Sequence, residues 1–112
     1  MIRAILYREG GRYTGYRASG HSGYAEAGAD IVCAAVSSLS CTCVNALESL
    51  LGIRAEVREN REGLMAFDLP DGAIDSEGAQ LLLGALKQGL SDLQEGYPEN
   101  IHLSIKERRQ QS

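Results

Sequence analysis

Residues 30–52, DIVCAAVSSLSCTCVNALESLLG, contain the pattern from which the fold can be predicted. Apolar side chains recur there every three or four residues, as they do on the buried face of a helix. Asp30 is a suitable N-cap and Gly52 a suitable C-terminal stop, so the pattern predicts a helix over about 31–51. The predicted apolar face consists of Val32, Ala35, Val36, Leu39, Cys43, Ala46, Leu47 and Leu50.

Short apolar segments on both sides of this helix predict strands and a second helix. The Gly10-Gly11 pair favours a tight hairpin turn, with Gly15 a candidate for a bulge in the returning strand. A second amphipathic pattern predicts a helix over about 76–95, capped by Asp75 or Ser76. Its glycines, Gly78, Gly84 and Gly89, would allow close packing against the sheet. The predicted strands are 2–8, 12–19, 54–59, 64–69 and 100–107.

The order of elements, ββαββαβ, predicts an α/β fold. The economical arrangement is a two-layer sandwich, in which two helices cover one face of a mixed sheet of about five strands. We expect a single domain over 1–112. Because the other sheet face would then expose apolar side chains unless a partner covered it, the pattern also favours a homodimer.

Composition narrows the class of partner. The chain has 112 residues and a formal net charge of −4, which argues against a general nucleic-acid-binding role. The basic cluster Lys106, Arg108 and Arg109 is interpreted as a solvated tail. No run of about 18 consecutive apolar residues predicts a membrane span, and the N-terminus lacks a signal-peptide pattern. We therefore expect a cytoplasmic protein without a membrane partner.

The cysteines favour thiol chemistry over a structural role in disulfides or metal binding. The chain has three, Cys33, Cys41 and Cys43, and an odd number in an apparently cytosolic protein does not indicate a disulfide framework. With only His21 and His102 as histidines, the spacing does not predict a zinc site, and no cofactor is expected. Cys41 and Cys43 are interpreted as packing residues and His102 as structural.

Cys33 and His21 form the candidate reactive pair. With Asp30 as N-cap, Cys33 would be the third helical residue, where the helix dipole favours a thiolate. His21 lies in a glycine-rich segment over 20–29, interpreted as a flexible loop that could bring an imidazole to the thiol. The plainer interpretations are a small buried cysteine and a surface histidine.

Two further residues are open to a supporting and to a plain interpretation. Asp30 either orients the imidazole or only caps the helix. Ser37, one turn after Cys33, either donates a hydrogen bond near the reacting centre or is a polar residue on the helix flank.

The stretch from Gly20-His21-Ser22-Gly23-Tyr24 to 30–37, DIVCAAVS, with 44–46, VNA, resembles the ribosomal-processing cysteine protease family (Prp). The resemblance implies a small homodimeric cysteine protease that removes an N-terminal extension from ribosomal protein bL27 in Firmicutes and related bacteria. It also implies a catalytic His21 and a nucleophilic Cys33, with Asp30 and Ser37 associated with the site. The flexible active-site loop would contain Gly20, Ser22, Gly23 and Gly28.

The expected mechanism is peptide hydrolysis through a thioester on Cys33, with His21 as the proton carrier. Free backbone N–H groups at the helix start would stabilise the oxyanion. Two alternatives remain open from the sequence. One is a non-catalytic, ribosome-associated protein-binding module, and the other is a redox-sensing thiol, for which Cys41 and Cys43 lie too far along the helix to form a disulfide.

Overall fold

The computed structural model describes residues 1–20, 27–61 and 63–108, with side chains of the first helix described from residue 31 onward. Its element order confirms the predicted ββαββαβ sequence. The strands are β1 (Ile2–Glu9), β2 (Arg12–Ser19), β3 (Glu56–Arg61), β4 (Leu64–Asp68) and β5 (Ile101–Glu107). The helices are α1 (Ala27–Leu51) and α2 (Glu77–Gly96), with a short 3₁₀ turn at Asp71–Ala73.

The strands form one five-stranded mixed sheet in the order β3-β4-β2-β1-β5. β1 and β5 are parallel and the other neighbours are antiparallel. The two helices pack on one face, over a core that includes Leu6, Tyr16 and Phe67 from three adjacent strands. The two-layer α/β arrangement is therefore as predicted.

The hairpin between β1 and β2 follows the sequence signals. Gly10 and Gly11 have positive φ angles of 58° and 83°, the conformation that a tight hairpin turn requires. Tyr7 pairs with Gly15 and Arg8 with Tyr13, so the register shifts beside Gly15, where a bulge was expected.

The start of α1 differs from the prediction. The helix begins at Ala27, so Asp30 is its fourth residue and not its N-cap, and Gly28 belongs to the helix and not to a loop. Alanine is the strongest helix former, and Ala27 and Ala29 offset the cost of the glycine between them.

The C-terminal end of α1, at Leu51, is as the sequence predicted. Gly52 has a φ of 67°, its N–H donates to the Glu48 carbonyl at 2.9 Å, and the Ile53 N–H donates to the Leu47 carbonyl at 2.9 Å. The predicted apolar face is largely confirmed, with Val32, Val36, Cys43 and Leu47 buried. Leu50 is an exception, because 72% of its surface is exposed.

By length and composition alone, Ile31–Leu51 would be able to cross a membrane, with a mean hydropathy of 1.5. Core helices of soluble proteins meet the same criterion. Here the segment contributes Val32, Val36 and Leu47 to the core beneath the sheet, and 28% of the apolar window is buried.

α2 is capped as expected, with the Ser76 side chain accepting a hydrogen bond from the Ala79 N–H. Its glycines serve a different contact from the one predicted. A Cβ at Gly78 or Gly89 would lie within 3 Å of Leu51 or Leu39, so both glycines allow close approach of α1 and not of the sheet. A Cβ at Gly84 would meet no other described residue within 4 Å.

The sheet face away from the helices is not the apolar surface that the sequence suggested. Ile5 pairs there with Arg17 and Ser104, and Tyr7 pairs with Lys106, so charged and polar side chains alternate with apolar ones. Among the described residues, strongly exposed leucines lie instead in the helix layer, where Leu50 is 72% and Leu81 is 74% exposed.

Candidate active site

Cys33 lies on α1, half-buried and packed against the core beside Val32 and Val36. It is the seventh residue of the helix and not the third. The free backbone N–H groups of a helix belong to its first turn, and the favourable effect of its dipole fades within that turn. The free N–H groups and the dipole effect, which were predicted to stabilise the thiolate and the oxyanion, therefore lie one turn before Cys33.

The histidine of the candidate pair, His21, lies outside the described residues, as do Ser22 and Gly23 of the predicted loop. The chain reaches this segment through Gly20, directly after β2. Gly20 has a φ of 98°, and its N–H donates to the Gly63 carbonyl at 3.0 Å. A Cβ there would come within 2.5 Å of the Met1 carbonyl oxygen, so the position requires glycine. The exit of the chain from the sheet is thus held in a defined geometry.

The two supporting residues lie on α1. Ser37 is exposed, one helical turn after Cys33, which leaves its hydroxyl accessible to a molecule bound beside the thiol. Asp30 is within the helix, one turn before Cys33, and its side chain lies outside the description. Both backbone positions are close to the cysteine along the helix, as the motif spacing implied.

A buried pair of hydroxyl groups, one on β2 and one on α1, was not found by sequence reasoning. Tyr16 of β2 and Ser40 of α1 are each 1% exposed, and their oxygens, Oη and Oγ, lie 2.7 Å apart. Ser40 Oγ also donates to the Val36 carbonyl at 2.7 Å. One signal was present in the sequence, because Ser40 follows Val36 by four residues and so shares the buried face of α1.

The other two cysteines have contrasting surroundings. Cys43 is buried, and burial raises the pKa of its thiol to about 11, which confirms its predicted packing role. Cys41 is exposed, so the same prediction was wrong for it. Its position, two residues before Cys43, places it on the outer side of the helix. Within the described residues, no group of three or more His, Cys, Asp or Glu side chains could hold a metal ion.

A charged cluster lies at the opposite end of β2 from Gly20. Asp68 accepts hydrogen bonds from Arg58 at 3.2 Å and from Arg108 at 2.7 Å, and the Arg108 guanidinium lies 3.7 Å from the centre of the Tyr7 ring. Arg108 is therefore part of the folded domain and not of a solvated tail. Gly15 makes room for the cluster, since a Cβ there would be 2.2 Å from Asp68 Oδ1.

An open cavity of about 200 Å³ adjoins this cluster. It is lined by Glu9, Thr14, Glu56, Arg58, Asp68, Leu69, Asp71, Ile74 and Arg108. Cys33 does not line it. We therefore centre the candidate active site on the motif cysteine and not on this cavity.

Comparison with known protein families shows the family of the chain. The sequence model of the family described as cysteine protease Prp matches residues 1–102. The chain belongs to this family. The matched range includes the whole predicted motif, from Gly20 to Ser37.

Characterised relatives agree with the family assignment over nearly the full chain. The ribosomal processing cysteine protease Prp of Staphylococcus aureus (strain NCTC 8325) is 31% identical over 102 residues, which cover 91% of this chain and 95% of the relative. The Prp of Bacillus subtilis (strain 168) is 28% identical over 109 residues, covering 93% and 96%.

Solved structures give the same result for the fold. SMU.848 from Streptococcus mutans superposes with a TM-score of 0.87 at 38% identity, covering 96% of each chain. The S. aureus Prp in complex with a substrate peptide has a TM-score of 0.83 at 30% identity, covering 95% of this chain and 100% of that one. The same protease with a covalently linked product peptide has a TM-score of 0.84. The S. aureus protease that was solved with these peptides therefore shares the fold described here.

Proposed function

We propose that this member of the Prp family is a cytoplasmic endopeptidase that removes an N-terminal extension from ribosomal protein bL27, in support of ribosome assembly. The observation that carries the proposal is the half-buried Cys33, within a chain that matches a cysteine protease family over residues 1–102. The S. aureus relative, which has been solved with substrate and product peptides, supports a peptide as the substrate.

The proposed chemistry uses Cys33 as the nucleophile and His21 as the proton carrier. The thiolate sulfur attacks the scissile carbonyl carbon, and the C–N bond breaks as the imidazolium gives its proton to the leaving amine. A thioester to Cys33 remains. Neutral His21 then takes a proton from water, the hydroxide attacks the thioester, and the thiolate leaves as the new carboxylate forms.

The supporting roles follow from positions on α1. Ser37, exposed one turn after Cys33, is proposed to donate a hydrogen bond to the substrate or to the developing oxyanion. Asp30, one turn before Cys33, is proposed to accept a hydrogen bond from His21 and orient its ring. No cofactor or metal takes part in this scheme.

The proposed partners are the bL27 extension and a second copy of the chain. The net charge of −4 suits a basic protein substrate better than a nucleic acid, and we propose neither a nucleic-acid nor a membrane partner. The exposed Leu50 and Leu81 offer apolar surface in the helix layer for a homodimer.

Cleavage of bL27 carrying its N-terminal extension tests the proposal. We expect the wild-type protein to shorten bL27, Cys33→Ala to bind it without cutting, and His21→Ala to lose at least about 100-fold in rate, as expected for a general acid–base. Cys41→Ala, a thiol removed from an exposed position of the same helix, is the matched control and should cut normally. Cleavage retained by Cys33→Ala would refute the mechanism. Binding without cleavage by the wild type would instead identify a non-catalytic ribosome-associated module.

A further inference from the structure

The hydrogen bond between the buried hydroxyl groups of Tyr16 and Ser40 has a defined direction. Ser40 has one hydroxyl proton and donates it to the Val36 carbonyl, so Tyr16 is the donor in the 2.7 Å contact between the two side chains. Burial raises the pKa of Tyr16 to about 12, so its proton is present throughout the neutral range. The result is a directed chain of hydrogen bonds from Tyr16 Oη to Ser40 Oγ to the Val36 carbonyl.

These hydrogen bonds join α1, which contains Cys33, to β2, which ends two residues before His21 in the sequence. Tyr16 lies on β2, five residues before His21, and β2 ends at Ser19. Ser40 lies on α1, seven residues after Cys33. Seven residues are close to two helical turns, so Ser40 projects from nearly the same side of α1 as Cys33.

The remaining described contacts between α1 and the core are mainly apolar. Val32, Val36 and Leu47 are buried there, and apolar packing is non-directional. A hydrogen bond weakens steeply when its distance or angle changes. The Tyr16–Ser40 bond therefore supplies a directional constraint on how α1 sits against β2, which the apolar contacts do not supply.

We propose that Tyr16 and Ser40 are positioning residues, which set the placement of Cys33 relative to the strand that leads to His21. The inference rests on the proposed function, because it assigns the pair a role in the same thiol–imidazole chemistry. A reacting group that moves by about 1 Å can cost about 100-fold in rate. Loss of one buried bond should shift the helix by less than this and cost correspondingly less.

The substitution Tyr16→Phe removes the donor and keeps the ring that packs against Phe67, with centroids 5.5 Å apart. We expect kcat for extended bL27 to fall about tenfold while KM stays within about twofold of the wild type. Ser40→Ala, which also removes the bond to the Val36 carbonyl, should lower kcat at least as much. The double variant should be no slower than Ser40→Ala, because the bond between Tyr16 and Ser40 is already lost in that single variant.

Tyr13→Phe is the matched control. It makes the same chemical change on the same strand, and within the described residues the Tyr13 hydroxyl makes no hydrogen bond, since only its backbone bonds to Gln80. Tyr13→Phe should retain wild-type kcat. If Tyr16→Phe lowers the melting temperature but keeps wild-type kcat, the bond only stabilises the fold and the inference is overturned.

A second readout separates failure of this inference from failure of the proposed function. The alkylation rate of Cys33 by iodoacetamide, followed against pH by peptide mass, reports the thiol–imidazole pair without any need for cleavage. We expect Tyr16→Phe, but not Tyr13→Phe, to move the midpoint of this profile to higher pH, because a displaced imidazolium stabilises the thiolate less. Identical profiles in all three proteins would refute the positioning role, whereas an absence of cleavage by the wild type would refute the proposed function.

Discussion

The three cysteines of α1 show how strongly environment, and not residue type, sets the role of a thiol. Cys43 is buried and its Sγ contacts the Leu82 carbonyl at 3.8 Å, while Cys41 is exposed on the same helix. Cys33 lies between these extremes, half-buried and in contact with the core. Of the three, Cys33 alone combines a fixed position with partial access to solvent, as a nucleophile requires.

Burial of Cys43 leads to a prediction about stability at alkaline pH. Its thiol has an ordinary pKa of 9.0 and a pKa of about 11 in the folded protein, so the folded state holds the proton more tightly. This contribution is complete below pH 9 and is lost as the pH rises to 11. We expect the free energy of unfolding, measured with urea at pH 8 to 11, to fall by at most about 3 kcal/mol from this thiol.

The substitution Cys43→Ala should flatten that decline, because alanine has no proton to lose. Cys41→Ala should retain the wild-type slope, since its thiol is exposed in the folded state as well. The buried Tyr16, whose pKa is raised to about 12, leaves a residual decline at higher pH in both variants. Equal slopes for the two cysteine variants would contradict the assignment of the effect to Cys43.

At the scale of elements, two glycines of α2 distinguish the effect of helix propensity on the free energy of unfolding from the effect of packing against α1. A Cβ at Gly84 would meet no other described residue within 4 Å, whereas a Cβ at Gly89 would lie 2.8 Å from a terminal methyl group of Leu39 on α1. We expect Gly84→Ala to raise the free energy of unfolding by about 1 kcal/mol. Gly89→Ala should gain less, because Leu39 must move. Urea denaturation measures both, and an equal gain would show that α1 and α2 are not in close contact at Gly89.

The order of elements could be predicted from the sequence because its signals are local. The Gly10-Gly11 turn, the Ser76 cap and the Gly52 stop each act within a few residues. The start of α1 was misplaced, because Gly28 was weighed as a loop residue and the alanines beside it were not weighed as helix formers.

The site could be predicted in part. The pair of Cys33 and His21 stays a prediction from spacing and from the family motif, and His21 lies outside the described residues. The Tyr16–Ser40 pair was missed because its members are separated by 24 residues and meet only when α1 packs on β2. The same reason applies to Arg108, which reaches Asp68 across 40 residues of sequence.

At the scale of the whole molecule, the distribution of exposed apolar residues bears on assembly. The sheet face opposite the helices mixes charged and apolar side chains, while Leu50 and Leu81 are exposed in the helix layer. We expect the chain of 12.0 kDa to sediment as a dimer at micromolar concentration. Leu81→Glu should weaken the dimer by placing a charge in an apolar contact, and Arg17→Glu on the sheet face should not. A monomer at all concentrations would contradict the proposed assembly.

The central claim is that Cys33 forms a thioester with the substrate, and intact-mass measurement tests it most directly. Wild-type protein is mixed with a peptide spanning the bL27 extension and its cleavage site, quenched in acid within one turnover, and digested to locate any adduct. We expect an acyl adduct on Cys33 that adds the mass of the extension peptide less one water, and no adduct in Cys33→Ala. Cleavage of the peptide without an adduct on Cys33, or with an adduct on the exposed Cys41, would contradict the account.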